Sequence, residues 1–339
     1  MADLLSLAAA KEARTRRRQM LRTAFGPVIA ASLADNAVIE VLVNPDGKLW
    51  VERAAEGRSF TGQCLGSAER ERIIRLIAAH VRREVGDKAP ILSAELPETG
   101  ERFEGLMPPL APAPCFAVRK PAEVLYRLAD YVAAGIMTPP QSEALARSVR
   151  ERKNILVVGG TSSGKTTLAN ALLAEIADLD ERVVILEDTR ELKCSAADCV
   201  ALRTRPGVAT LADLVRSTLR LRPDRIIVGE VRGGEALDML KAWNTGHPGG
   251  ITTVHANCAI SALLRLEQLI QEAVVTVPRD LIVQAIDVIV FLSGRGAERR
   301  VETVVELTDL DQHGNYVLKP LAQPLLHTIP AARSPAHAE

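Results

Sequence analysis

The stretch from residue 159 to residue 167 has the residue types and spacing of a phosphate-binding site. It matches the pattern G-x-x-x-x-G-K-[ST] at every fixed position. Glycines let such a loop turn its N–H groups inward, and the helix that follows adds the positive end of its dipole. Lys165 would reach the β- and γ-phosphates and the Thr166 hydroxyl would hold Mg²⁺, so the stretch predicts binding of ATP or a similar triphosphate. The predicted binding residues are Gly159, Gly160, Thr161, Ser162, Ser163, Gly164, Lys165, Thr166 and Thr167.

A buried strand and an amphipathic helix should hold this loop in place. Residues 154–158 form an apolar, β-branched run that is typical of a buried strand. After the loop, one helical face carries Leu168, Ala171, Leu172 and Ile176. Strand, glycine loop and helix in this order are the context that the pattern requires. The alternative is an ordinary glycine-rich turn with a solvated lysine.

Two further predicted strands lead into carboxylates. The run 183–186 is followed by Glu187, and the run 225–228 is followed by Gly229 and Glu230. Ligands bind at the carboxyl ends of strands in open α/β sheets, so one of these groups could orient or deprotonate an attacking water. Glu230 fits the carboxylate that lies near Mg²⁺ in nucleoside triphosphatases, although Gly229 stands where an aspartate is common. The sequence does not decide which of the two glutamates positions the metal, through a water molecule, and which activates the attacking water. A solvated acidic turn is the alternative for Glu187.

Histidines and arginines complete the set of candidate residues. His247 lies in a glycine-rich turn, and His255 follows the predicted strand 251–254. His255 could sense the γ-phosphate by hydrogen bonding, or it could be an ordinary core histidine. Arginines stabilise the charge of a transferring phosphoryl group, and exposed arginines are otherwise merely solvated. The candidates for this role are Arg102, Arg119, Arg220, Arg222 and Arg232.

The order of predicted elements divides the 339 residues into two domains. The first has a hairpin, a helix over 68–85 that would end at Gly86, and three later strands, and so predicts a small α+β domain. The second alternates strand and helix, which is typical of a mostly parallel sheet with both faces covered. The predicted segments are a basic N-terminal segment (1–25), the α+β domain (26–120), a linker (121–140), the α/β domain (141–321) and a disordered tail (322–339). The basic segment could dock on a membrane or partner, or could be a solvated helix face.

Composition narrows the class of function and the compartment. Lys plus Arg number 42 and Asp plus Glu number 42, so overall charge does not favour a chain that coats nucleic acid. Aromatic residues make up 3%, which offers no evident base-stacking platform. The five cysteines lack metal-like spacing and are predicted to be reduced thiols. No apolar run approaches the roughly 20 residues that span a bilayer, and the N-terminus lacks the order of a signal peptide. We therefore expect a cytoplasmic protein with no strong sign of sequence-specific nucleic-acid binding.

Four blocks in this order and spacing resemble the secretion traffic ATPases of bacterial type II and type IV systems. The blocks are the phosphate loop, the acidic block 187–191, the Gly229–Glu230 strand end and the histidine block 246–255. In the first domain, the stretch 40–47 matches as well. So do Arg102-Phe103, Pro108-Pro109 and Arg119-Lys120-Pro121. The resemblance covers about residues 30–320 and is strongest to the ATPases of conjugative transfer.

This resemblance implies a RecA-like P-loop ATPase domain behind a smaller N-terminal α+β domain. It implies Mg²⁺-dependent ATP hydrolysis in a hexameric ring that sits at the cytoplasmic face of the inner membrane and works with the type IV secretion machinery. The resemblance implies that ATP lies between the domains, with Arg102 and Arg119 reaching its phosphates. It also implies that Glu187, Glu230 and His255 are catalytic. Type II and pilus relatives often carry a four-cysteine zinc module that this sequence lacks, which disfavours the type II alternative.

Three other functions stay open from the sequence. A pilus or type II secretion motor would use the same chemistry, and neighbouring genes would distinguish it. A DNA-translocating helicase would bind DNA with a steep salt dependence and hydrolyse faster with DNA. A nucleotide-gated scaffold would not hydrolyse ATP at all.

Overall fold

The structure, a computed structural model, describes residues 2–53, 56–96, 100–120, 125–205 and 207–322; for 2–14, 16–18 and 297 it describes only the backbone. The predicted tail beyond residue 322, residues 121–124 of the predicted linker and most side chains of the basic segment lie outside this description. The chain forms two compact units, one comprising Met1–Val124 with Thr189–Glu191 and the other comprising Leu125–Asp188 with Leu192–Glu339. Among the described residues, no helix combines the length and apolar character needed to cross a membrane.

The first unit is an antiparallel sheet packed against helices. Its described elements are α1 (Ala2–Ala34), β1 (Val38–Val43), β2 (Lys48–Arg53), β3 (Gly57–Cys64), α2 (Ser67–His80), β4 (Ile91–Glu95), β5 (Arg102–Leu106) and β6 (Cys115–Arg119). The strands lie in the order β3-β2-β1-β6-β5-β4. Leu21, Phe25 and Ile29 of α1 are buried in the same core as Ile73 and Ile77 of α2.

Two local features of the first unit concern glycines. Helix α1 is kinked at Gly26, where φ is +71°, and Pro27 follows without an N–H to continue the helical bonds. Helix α2 ends at His80, six residues before Gly86, so the predicted end of this helix at Gly86 is wrong. Arg82, with φ of +56°, is the residue that adopts the left-handed conformation after the helix.

The second unit is an eight-stranded, mostly parallel sheet with helices on both faces. Its described elements are α3 (Leu128–Ala133), α4 (Pro139–Arg150), β7 (Ile155–Gly159), α5 (Lys165–Ala174), β8 (Arg182–Glu187), β9 (Asp198–Arg203), α6 (Leu211–Thr218), β10 (Arg225–Val228), α7 (Glu235–Asn244), β11 (Ile251–Val254), α8 (Ala259–Gln271), α9 (Arg279–Ala285), β12 (Val288–Ser293), a 3₁₀ turn (Gly296–Glu298), β13 (Arg300–Leu310) and β14 (Tyr316–Pro320). The strand order is β14-β13-β12-β7-β11-β10-β8-β9. Strands β12, β7, β11, β10, β8 and β9 run parallel, and β13 and β14 are antiparallel.

Burial on both faces explains why the central strands are apolar throughout. Leu156 and Val158 of β7 pack into one core, and Ile155 and Val157 pack into another on the opposite face. Successive side chains of a strand point to opposite faces, so a strand covered on both sides has no position left for polar residues. The predicted, mostly parallel α/β architecture of the second unit is confirmed. Strands β13 and β14 form an antiparallel hairpin at one edge of this sheet, and β3 and β9 are strands that the sequence did not reveal.

Candidate active site

Four neighbouring parallel strands bring the candidate residues to one edge of the sheet. Gly159 ends β7, His255 follows β11, Glu230 lies just beyond β10, and Glu187 ends β8. These strands are adjacent in the order β7, β11, β10, β8 and are paired in parallel register. Because the carboxyl ends of parallel strands meet at the same edge, the four residues form a row beside the glycine loop.

The glycine loop has the shape of an anion cradle. Ser162 and Gly164 both have positive φ, +62° and +98°, which turns the chain sharply into α5 at Lys165. A methyl group on Gly159 would lie 2.4 Å from Ser163 Oγ and 2.8 Å from the carbonyl oxygen of Leu292, so the loop starts where only glycine fits. A methyl group on Gly160 would meet no atom of the described residues within 4 Å. The tight base and open mouth suit a phosphate group held at the start of a helix.

Lys165 is buried at the base of the loop. Its side chain bends back so that Nζ donates to the carbonyl oxygens of Gly159 and Gly160, each at 3.0 Å. The same Nζ lies 3.2 Å from Nδ1 and 3.3 Å from Nε2 of His255. A buried ammonium needs acceptors of this kind, and phosphate oxygens are stronger ones.

His255 connects Lys165 to Glu230. Its Nε2 lies 2.9 Å from Glu230 Oε1, while Oε2 of Glu230 accepts from Arg232 through Nε at 2.9 Å and Nη2 at 2.5 Å. A neutral imidazole has one N–H and one lone pair, so a ring protonated at Nε2 can accept from Lys165 through Nδ1. Glu230 Oε1 lies within ion-pair distance of Nε2 but is buried with no hydrogen-bond partner among the described residues. The site is thus a chain of a cation, an imidazole, a carboxylate and a guanidinium.

Glu187 is the more buried of the two glutamates, with 5% of its surface exposed. Its Oε1 accepts the backbone N–H of Leu192 at 2.8 Å, which fixes the direction of the carboxylate. A methyl group on Gly229 would lie 3.1 Å from Glu187 Cγ. An aspartate at position 229 would therefore press on Glu187, and this crowding gives a physical reason for the glycine that departs from the common motif.

The remaining loop residues differ in exposure. Thr161 and Ser162 are exposed at the loop tip, whereas Ser163 is buried. Thr166 and Thr167 are the second and third residues of α5 and are half-buried. This is the position in which a hydroxyl at a helix start can face a phosphate-bound cation.

Three predicted candidates lie at the other edge of the sheet. Arg220 and Arg222 precede β10, and His247 precedes β11, so all three are at the amino ends of their strands. His247 Nδ1 lies 3.0 Å from the carbonyl oxygen of Pro223 and so has a local structural partner. Arg220 and Arg222, considered as charge stabilisers, are not brought to the row that contains Glu230.

Arg102 and Arg119 lie side by side in the first unit. They are directly paired across β5 and β6, and Arg102 Nη1 donates to Glu191 Oε1 at 2.6 Å. Arg119 is also paired with Glu40 of β1. Burial raises the pKa of Glu40, the nearby Glu52 raises it further, and Arg119 acts in the opposite direction. The two arginines are therefore adjacent basic residues on this sheet, and each of them has an acidic neighbour.

Comparison with known proteins identifies the family. A family model described as "Type II/IV secretion system protein" matches residues 24–295. The chain belongs to this family. It is 48% identical over 289 residues to the conjugal transfer protein TrbB of Rhizobium radiobacter, covering 85% of this chain and 89% of the relative. It is 30% identical over 285 residues to the type IV secretion system protein VirB11 of Bartonella quintana, covering 72% and 80%.

Two solved structures have the same fold as this chain. The ATPase DotB of Legionella pneumophila matches with a TM-score of 0.56 and 19% identity, covering 86% of this chain and 77% of DotB. The pilus retraction motor PilT matches with a TM-score of 0.56 and 19% identity, covering 86% and 80%. The predicted fold class, a RecA-like P-loop ATPase domain with a smaller N-terminal α+β domain, is confirmed. Membership of the secretion family makes the chain a nucleotide-binding ATPase.

One residue beside the loop escaped the sequence analysis. Arg299 lies just past the part of the chain that the family model matches, and its Nη2 donates to the carbonyl oxygen of Ser162 at 3.4 Å. It follows β12, the other parallel neighbour of β7. Arg299 directly precedes β13, which pairs antiparallel with β12, so it lies at the edge of the sheet where the parallel strands end. A strand-end rule that also covered the start of an antiparallel strand would have indicated Arg299.

Proposed function

We propose that this chain hydrolyses ATP with Mg²⁺ to power type IV secretion, and in particular conjugative DNA transfer. The observation that carries the proposal is the 48% identity to a conjugal transfer protein over 85% of this chain. The row of side chains beside the glycine loop supports ATP hydrolysis, because it combines a phosphate cradle with positioned acid–base groups. This row consists of Lys165, His255, Glu230 and Glu187.

The loop and Lys165 bind the phosphates in this proposal. Residues 159–167 cradle the β- and γ-phosphates through backbone N–H groups, and Lys165 exchanges its two carbonyl acceptors for phosphate oxygens. The half-buried Thr166 hydroxyl and, through water, Glu230 would hold Mg²⁺. When bound, this ion neutralises charge on the β- and γ-phosphates.

The two glutamates divide the remaining work. Glu187 is fixed by the Leu192 N–H and buried, which suits a group that orients and deprotonates the attacking water. Glu230 is linked through His255 to Lys165, which suits a group on the metal side and makes His255 a sensor of the γ-phosphate. Arg102 and Arg119 are proposed to stabilise the charge of the transferring phosphoryl group.

We further propose that the working form is a hexameric ring at the cytoplasmic face of the inner membrane, where it engages the transfer machinery. Hydrolysis would drive motion by changing how each subunit is held in the ring. The similarity of the chain to VirB11 and TrbB sequences supports a place in a type IV system.

A comparison of two lysine-to-alanine substitutions tests the proposed function. Lys165→Ala should lower the ATPase rate by at least about 100-fold, because it removes the charge that faces the transferring phosphate. It should lower the frequency of plasmid transfer in a mating assay to that of a strain lacking the gene. Lys241→Ala, an exposed lysine on α7, is the matched control and should leave both readouts unchanged.

The outcomes separate the proposal from its competitors. Full transfer by the Lys165→Ala strain would overturn the motor role and favour a nucleotide-gated scaffold. Hydrolysis that depends on DNA, with DNA binding that falls steeply with salt, would favour a helicase. Loss of pilus retraction or protein secretion with normal mating would favour the pilus or type II alternative.

A further inference from the structure

Arg299 lies on the outside of the phosphate-binding loop. It follows the 3₁₀ turn Gly296–Glu298 and directly precedes β13. A methyl group on Gly164 would lie 2.9 Å from its Nε and 3.1 Å from its Cζ, so the guanidinium packs on the backbone of Gly164. Its Nη2 also donates to the Ser162 carbonyl oxygen at 3.4 Å. One side chain therefore touches two residues of the loop's final turn.

These two residues are the ones with left-handed backbone. Gly164 has φ of +98° and adopts it without steric cost, but Ser162 has φ of +62°, which residues with a Cβ rarely adopt. A non-glycine residue stays in this conformation only when its surroundings hold it there. Arg299 is the described side chain that bonds to the Ser162 carbonyl.

The segment that carries Arg299 is itself anchored. Val301 donates its N–H to the carbonyl oxygen of Ile136 at 2.7 Å and accepts from the fully buried Gln141 Nε2 at 3.2 Å. Tyr131 is close by: burial raises the pKa of its hydroxyl, and the positive charge of Arg299 acts against that rise. Nε of Arg299 is buried with no hydrogen-bond partner among the described residues. The guanidinium is therefore packed into place rather than free in solvent.

We propose that Arg299 is a positioning residue of the nucleotide site, which holds the turn from Ser162 to Gly164 in the conformation that receives the phosphates. It acts through the loop, and the proposal rests on the proposed function only in taking this loop as the nucleotide site. Holding the loop strengthens nucleotide binding in the ground state and the transition state alike. Such uniform binding changes KM and leaves kcat nearly unaltered.

The first test compares two arginines of the same segment. Arg299→Ala should weaken binding of a fluorescent ADP and raise the KM for ATP by about fivefold, with kcat within about twofold of the wild type. Arg295→Ala removes an exposed arginine four residues earlier and should change none of these values. A loss confined to kcat, or no change for Arg299→Ala, would overturn the proposal.

A double-mutant cycle distinguishes holding the loop from simple charge attraction. Glycine adopts the left-handed conformation freely, so on a Ser162→Gly background the further change Arg299→Ala should weaken ADP binding by less than about twofold. Arg299→Lys keeps the charge but loses the planar group on Gly164, and should bind ADP nearly as weakly as Arg299→Ala at low and at high salt. Equal losses on both backgrounds, or full rescue by lysine, would contradict a positioning role.

Failure of this proposal is distinguishable from failure of the proposed function. If the wild type binds ADP but does not hydrolyse ATP, the proposed function fails while the binding cycle still decides the role of Arg299. If Arg299→Ala lowers the melting temperature, Arg299→Gln retains the side-chain bulk and takes its place in the same cycle. A Gln variant that binds ADP as tightly as the wild type would also overturn the proposal.

Discussion

At the scale of single residues, the site is organised around a buried ammonium group. Lys165 is 7% exposed, and its Nζ is bound by two loop carbonyls and faces the His255 ring. Each of these contacts is one that a phosphate oxygen can replace with a stronger, charge-assisted bond. Because Nε2 of the same ring also lies 2.9 Å from Glu230 Oε1, a change of partners at Lys165 would reach that carboxylate through a single side chain.

The two glutamates should differ in how their loss depends on magnesium. Glu187→Gln removes the proposed base and should lower kcat by about 10²- to 10⁴-fold at every Mg²⁺ concentration, with ATP binding little changed. Glu230→Gln should raise the Mg²⁺ concentration that gives the half-maximal rate, because it weakens the metal side of the site. Steady-state rates over a Mg²⁺ titration measure both effects.

An exposed glutamate provides the control for this pair. Glu143 lies on the solvent face of α4, and Glu143→Gln should leave the titration curve unchanged. If Glu187→Gln retained the wild-type rate, the base would have to be another group. If the two variants exchanged their Mg²⁺ dependence, the two roles would be reversed.

At the scale of elements, the strands that build the site were predictable because they are buried on both faces. Strands β10 and β11 occupy the predicted residues 225–228 and 251–254, and each ends directly before the polar residues of the site. The parallel alternation then placed Glu230 and His255 at one edge without any knowledge of contacts. Continuous apolar runs and the direction of the strands were sufficient for this part of the site.

The apolar pattern of the sequence was too weak to predict the edge strands or the end of helix α2. All eight residues of β3 are exposed or half-exposed, so no apolar pattern marks it, and β9 at the far edge of the second sheet is only half-buried. The end of α2 was misplaced because Val81 and Val85 continue the apolar spacing and pack beside the core although they lie beyond the helix. Burial alone does not distinguish the last helical turn from an irregular segment that packs nearby.

Gly250 and Gly86 should respond differently to substitution by alanine. A methyl group on Gly250 would lie 2.1 Å from the buried ring of Trp243, whose Nε1 donates to the Ile226 carbonyl oxygen. Gly250→Ala should therefore cost about 2 kcal/mol or more and lower the melting temperature by at least about 4 °C. Thermal unfolding monitored by circular dichroism measures the change.

Gly86 is the control for this prediction and a test of the corrected helix end. A methyl group there would meet no described atom within 4 Å, and its φ is not in the left-handed region. Gly86→Ala should change stability by less than about 0.5 kcal/mol. A large loss at Gly86 would mean that it caps the helix after all, and an unchanged melting temperature for Gly250→Ala would mean that the tryptophan can move.

At the scale of the whole molecule, the proposed ring would make hydrolysis depend on association of the subunits. The chain has equal numbers of acidic and basic residues, 42 of each, so net charge does not hold copies apart. If the active form is a hexamer, subunits below its dissociation concentration lack their neighbours and hydrolyse slowly. The rate per chain should then rise with protein concentration and level off where light scattering reports six times the chain mass of 36.6 kDa. Lys165→Ala should assemble over the same concentrations without hydrolysis, which separates assembly from chemistry. A monomer whose rate per chain is constant under dilution would overturn the ring.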